Sequence, residues 1–101
     1  MTIKIGDYNF AGPFDSTESI EDKSGIYAII NYKEGKYYLL DVGESAQMKK
    51  TIEEQNKEEW KTHSENTIMY SVRYTPDLKE AERKEIKAKI SAKYIPTYGK
   101  N

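Results

Sequence analysis

Gly25-Ile26-Tyr27-Ala28-Ile29-Ile30-Asn31-Tyr32, the loop Lys33-Glu34-Gly35-Lys36 and the run Tyr37-Tyr38-Leu39-Leu40-Asp41-Val42-Gly43 decide the fold of this chain. β-Branched and aromatic residues fill both runs, and a short polar loop containing glycine separates them, which is the pattern of a β-hairpin. Downstream, Ser45 is placed to cap a helix that turns Ala46, Met48 and Ile52 inward. A second short helix is expected over residues 57–62, centred on Trp60, where charges alternate in sign as on a solvated face. Ile68-Met69-Tyr70-Ser71-Val72-Arg73-Tyr74 reads as a third strand. Thr75 or Asp77 then caps a last helix, with Pro76 tolerated in its first turn and Glu80 spaced for a capping box with Asp77. Leu78, Ala81, Ile86, Ile90 and Tyr94 form the apolar stripe of that helix, and Ile95-Pro96 ends it.

Upstream of the hairpin the signals are weaker. Residues 2–10 alternate apolar and polar around Gly6-Asp7, as one or two short strands would, and read as an accessory element. Residues 15–24 are rich in Ser, Asp and Glu with only Ile20 apolar, which predicts an exposed loop or a single helical turn. The expected architecture is a single α+β domain: a small antiparallel three-stranded core sheet flanked by helices, in the order β-β-α-(α)-β-α. Residues 25–101 make its core and residues 1–12 an accessory N-terminal strand or hairpin.

Composition narrows the function classes. At 101 residues the chain has room for one domain. Hydrophobic residues are 37% of the chain and charged ones 33%, enough for one modest core, and nine Tyr, two Phe and one Trp argue against disorder. Sixteen Lys and Arg stand against seventeen Asp and Glu, so no whole-molecule field attracts DNA or an anionic membrane; a nucleic-acid role needs a local basic patch. The absence of Cys removes disulfides, zinc fingers, iron–sulfur clusters and cysteine nucleophiles, and His63 alone cannot build a multi-histidine metal site. No apolar run approaches ~18 residues, so neither a signal peptide nor a membrane span is expected, and a cytoplasmic location is the default.

Gly25-Ile26-Tyr27, followed after the hairpin by Asp41-Val42-Gly43, resembles the paired tripeptides of the GIY-YIG nuclease superfamily, with the first intact and the second altered at its Tyr. The same order continues with Gly43-Glu44-Ser45 entering a helix, Trp60 with His63 after it, Tyr74-Thr75-Pro76 before the last helix and Tyr94-Ile95-Pro96 at its exit. The resemblance covers roughly residues 12–101. It implies metal-assisted phosphodiester hydrolysis, in which one divalent metal and an Arg stabilise charge on the phosphate while a Tyr helps to deprotonate the attacking water. Tyr27 matches the first tyrosine of that family. The second tyrosine falls on Asp41, the Arg of the first helix on Thr51, and the metal-binding Glu of the last helix on Lys87. A neutral hydroxyl does not replace a guanidinium fork on phosphate, and a cation at Lys87 repels the metal. Glu85 lies about 200° further round the helix and Glu82 more than a turn away, so neither is a good stand-in.

The resemblance therefore implies a catalytically degenerate member, with no catalytic residues or metal site expected at Tyr27, Asp41, Thr51 and Lys87, no cofactor, and a binding role toward nucleic acid or a protein. Lys49 and Lys50 on the first helix and Arg83 and Lys84 on the last are the candidate phosphate contacts, the last helix having an excess of three basic residues over acidic ones. An alternative is an active endonuclease that uses Mg²⁺ or Mn²⁺ with Lys49 or Lys50 and Glu82 or Glu85. A further alternative is a protein-interaction module built on the sheet's aromatics. Each residue also has a plainer reading: Tyr27 as a packing residue, Trp60 as core, the basic helix as a solvated face, and Tyr32, Tyr37 and Tyr38 as structural rather than as stacking surfaces for single strands. Asp41, at the end of an apolar strand, is expected either to pair with Lys87 or to cap local backbone while Lys87 faces solvent. Oligomeric state leaves no trace in the sequence.

Overall fold

A computed structural model describes residues 2–54 and 67–93. In chain order these form β1 (Thr2–Ile5), β2 (Tyr8–Phe14), a 3₁₀ turn (Thr17–Ser19), β3 (Gly25–Lys33), β4 (Lys36–Ser45), α1 (Met48–Glu54), β5 (Thr67–Tyr74) and α2 (Glu80–Lys93). The expected hairpin is β3–β4. Its turn is the pair Glu34-Gly35, at φ 51° and 79°, the left-handed conformation that a two-residue type I′ turn demands at both centres. β3 pairs antiparallel with β4 on one side and β5 on the other, and its seven residues from Gly25 to Asn31 are all buried. A strand covered on both faces needs an unbroken apolar run, and the sequence supplies it.

The small three-stranded sheet is overturned. The sheet has five antiparallel strands in the order β1-β2-β5-β3-β4 and curls into a half-barrel. The N-terminal hairpin is not an accessory: β2 pairs with β5, with Ala11 opposite Val72 and Phe14 opposite Tyr70. Phe10 and Ile5 are buried, Phe10 completely, and pack with Ile26, Ala28, Ile30, Val42 and Ile90. The reason is the open edge that β5 would otherwise present, whose backbone groups β2 satisfies. The alternation of Ile3, Ile5, Tyr8 and Phe10 marks two strands but not the distant strand with which they pair, so it gave little sign of a place in the main sheet.

The alternation of β3 divides the core into two layers. Tyr27 and Ile29 point to one face, where Met48 and Ile52 of α1 cover them together with Ile20, Leu40 and Val72. Ile26, Ala28 and Ile30 point to the other, where Ile86 and Ile90 of α2 pack. The register moves from Ile29 opposite Asp41 to Ile30 opposite Leu39, so Leu40 is a bulge residue in β4. Residues 15–24 hold their turn at Ser16, whose Oγ accepts from the Glu18 amide, and bury Ile20.

Details of both helices differ from expectation. Met48 and Ile52 are buried as predicted, but Ala46 is exposed because α1 starts only at Met48, with Ser45 accepting from the Gln47 amide before it. In α2 the capping box is shifted by two residues: the Lys79 amide donates to Glu82 Oε1 at 3.0 Å, and Asp77 and Glu80 do not form it. Ala81 is exposed, and the buried members of α2 are Arg83 and Ile90. The helix expected at residues 57–62, with Trp60 and His63, and the exit at Tyr94, Ile95 and Pro96 lie outside the described residues. Among the described residues no helix is long and apolar enough to cross a membrane.

Because Phe10 is part of the main core, Phe10→Ala is expected to cost roughly 3–5 kcal/mol in urea unfolding. A change within about 0.5 kcal/mol, as at an ordinary surface position, would return the N-terminal hairpin to accessory status.

Candidate functional site

Both tripeptides have a packing explanation. Gly25 sits where a Cβ would run into the backbone of Arg73 and the side chain of Met48, and Gly43 where a Cβ would run into the ring of Tyr27. Glycine at 43, directly opposite Tyr27, thus forms the seat on which that ring lies. Ile26 and Val42 are buried on the opposite face, toward α2. Tyr27 and Asp41 share the α1 face, since Asp41 faces Ile29 across the ladder, two residues along from Tyr27.

Tyr27 is only 5% exposed. Burial first, then the negative charges of Asp41 and Glu44, push its phenol up to about 12. At neutral pH it is a fixed neutral group, poorly suited to taking a proton from water. Asp41 Oδ1 accepts from the Val42 amide at 2.9 Å, and Lys87 is exposed on α2, the helix that covers the other face. Of the two readings of Asp41, the backbone-capping one matches this geometry.

Thr51 meets a hydroxyl: its Oγ1 lies 2.6 Å from Ser45 Oγ, which ties α1 to the end of β4. Lys49 is half-buried and Lys50 exposed, with the Lys50 amide donating to Asp22 Oδ1. Arg83, expected from the sequence to contact phosphate, is committed elsewhere. Its Nε donates to Glu44 Oε1 at 2.9 Å and its Nη1 to Leu78 O at 3.2 Å, with both side chains of the ion pair largely buried. Lys84 pairs with Glu80 at 2.7 Å, one turn away on the exposed face of α2. Glu82 caps α2 and Glu85 pairs with Lys89 at 3.3 Å. No three His, Cys, Asp or Glu side chains among the described residues are grouped so as to hold a metal ion.

The structure thus brings Tyr27, Gly43 and Asp41 together, adds Glu44 with Arg83, and leaves Thr51 and Lys87 in separate surroundings. Sequence reasoning missed the Glu44–Arg83 pair. Its one sign was that Glu44, two residues beyond the buried Val42, had to share Val42's face and so meet whatever covers it. Asp41 and Glu44 both act on Tyr27 with negative charge, and Glu44 is itself paired with Arg83.

Two measurements follow from these charges. The raised phenol pKa means that the folded state keeps its proton between about pH 10 and 12 while the unfolded chain loses it, so stability is complete below 10 and falls as pH rises to 12. Tyr27→Phe is expected to lessen that fall in pH-dependent urea unfolding; an unchanged slope would place the titration on another tyrosine. Glu44→Ala, which strands the Arg83 charge in the core, is expected to cost roughly 3–5 kcal/mol in the same assay, against a small loss if the pair were solvated.

Compared with known proteins, the chain matches no protein family, no curated protein and no solved structure.

Proposed function

We propose that this chain is a non-cleaving relative of the GIY-YIG nucleases, a domain that binds nucleic acid and does not hydrolyse it. The observation that supports this reading is the surroundings of Tyr27. Where phosphodiester cleavage needs a tyrosine that gives up its proton beside cations that gather the phosphate, Tyr27 is buried, held neutral and faced by Asp41 and Glu44. Arg83 is itself engaged by Glu44. Lys87 stands where the family's metal-binding carboxylate would be, and the alternative acids Glu82 and Glu85 are engaged in a helix cap and an ion pair. Of the two partner classes expected, nucleic acid or a protein, nucleic acid is chosen by analogy with the substrates of the family that the chain resembles.

The test is a supercoiled-plasmid nicking assay with Mg²⁺ or Mn²⁺, run beside a mobility-shift assay with single- and double-stranded DNA and RNA. The expected outcome is retarded nucleic acid with no nicking above that of Tyr27→Phe. Metal-dependent nicking that Tyr27→Phe abolishes would overturn the reading in favour of an active nuclease.

A further inference from the structure

β1 and β4, the two outer strands of the sheet, both line one groove of about 260 Å³. Ile3 and Ile5 of β1 form one wall and Ile30 of β3 with Leu39 of β4 the other, and two tyrosines of β4 and Lys4 complete the described lining. The groove runs on from the core layer under α2: Ile5 and Ile30 are buried in that layer with Ile90, and Ile3, Leu39 and Ile86 pack against it. α2 leads to the same place. Its last described residue, Lys93, reaches Asp7 in the β1–β2 turn at 3.5 Å, two residues along the chain from Ile5. That ion pair is exposed on both sides and contributes little to stability, but it marks where the chain leaves the helix. From there the sequence runs Tyr94-Ile95-Pro96-Thr97-Tyr98, a segment with three bulky, largely apolar side chains and no charge.

We propose that residues 94–98 lie back over this groove as a strap, with Ile95 and Tyr98 seated between the β1 wall and the β3–β4 wall. Length permits it: five extended residues span at most about 16–18 Å, and the four residues of β1 cover about 13 Å, so a segment that starts beside Asp7 reaches the far end of β1. Pro96 cannot continue the helix of Ile86 and Ile90, and it favours extended, polyproline-like backbone at Ile95 and at itself. Residues three apart turn to the same side of such a backbone, and Ile95 and Tyr98 are three apart. Charge selects the same occupant. The described lining holds Lys4 and otherwise Ile, Leu and Tyr, so a polyanion finds a single partner there, whereas an uncharged segment leaves no charge to desolvate. An apolar wall continuous with a core gains by being covered, and a segment tethered beside it is present at high effective concentration without a second molecule. The strap closes the gap between the two outer strands of the half-barrel, so a ligand of this face competes with it.

The experiment is NMR on the full, isotopically labelled chain, with carbon-edited nuclear Overhauser spectra of the unmodified protein and amide spectra of two variants: Ile95→Ser combined with Tyr98→Ser, and Lys100→Ser as a control. In the unmodified chain, the Ile95 methyls and the Tyr98 ring are expected to show Overhauser contacts with Ile3 or Ile5 on one wall and with Ile30 or Leu39 on the other. The double variant is expected to shift the amides of both walls while those of Met48, Ile52 and Val72, in the layer under α1, stay in place. Lys100→Ser is expected to shift neither wall. Circular dichroism of each variant checks that the fold is kept, and the contacts in the unmodified chain need no variant. Contacts with β1 alone would show a segment that follows its tether without entering the groove, and would overturn the strap. So would the absence of any contact between residues 94–98 and the groove, or walls left unchanged by the double variant. In a mixture of labelled and unlabelled protein, contacts found between copies in place of those within one copy would give the groove to a second copy and overturn it as well.

Discussion

β3 is hydrogen-bonded to a strand on each side and covered on both faces, and the rest of the molecule is arranged around that constraint. A strand in this position has no solvent side on which to place a polar residue, so from Gly25 to Asn31 every side chain needs a packing partner. α1 supplies them on one face through Met48 and Ile52, and α2 on the other through Ile86 and Ile90. The glycines follow from the same closeness: Gly25 lets β5 and Met48 approach, and Gly43 lets the Tyr27 ring lie against its own sheet. The glycines of both tripeptides are thus explained by packing.

The two-layer division also separates the charges. Tyr27 and Asp41 belong to the α1 face, and Glu44 turns to the α2 face, where Arg83 meets it. Within so small a core the layers still feel one another, and the phenol of Tyr27 is raised by carboxylates from both sides of the sheet. A buried neutral phenol, a carboxylate engaged by its neighbour's amide and an ion pair beside α2 make a stable cluster.

Curling of the sheet gives the molecule a second region with its own chemistry. The outer strands β1 and β4 both line one largely apolar groove, with Tyr37, Tyr38 and Lys4 among its walls. β4 meets its exposed edge with a bulge at Leu40 and with Lys36 at its start, features that discourage unintended strand pairing. Lys93 of α2 reaches Asp7 in the β1–β2 turn at 3.5 Å, so the N-terminal hairpin is held by β5 on one side and by α2 on the other. The groove shares Ile3, Ile5, Ile30 and Leu39 with the core layer under α2, whereas Tyr27 belongs to the layer under α1.

Local patterns determined the hairpin β3–β4, the strand β5 and the two described helices, because each contains enough apolar or β-branched residues within one segment to signal its type. The turn at Glu34-Gly35 and the inward positions of Met48, Ile52, Ile86 and Ile90 were legible for the same reason. What needed the tertiary structure depended on partners distant in the chain. Ile3, Ile5, Tyr8 and Phe10 read as a side element until β5 was found to need an edge partner, and that pairing joins residues about sixty positions apart. Arg83 looked like a surface cation within a basic helix, since only the approach of β4 to α2 brings Glu44 to it. Lys87 and Asp41 occupied matching motif positions, yet the sheet between their elements sets them on different surfaces. Residue type and spacing are set along one segment, but the burial and charge that decide a site's chemistry come from whichever segments the fold brings against it.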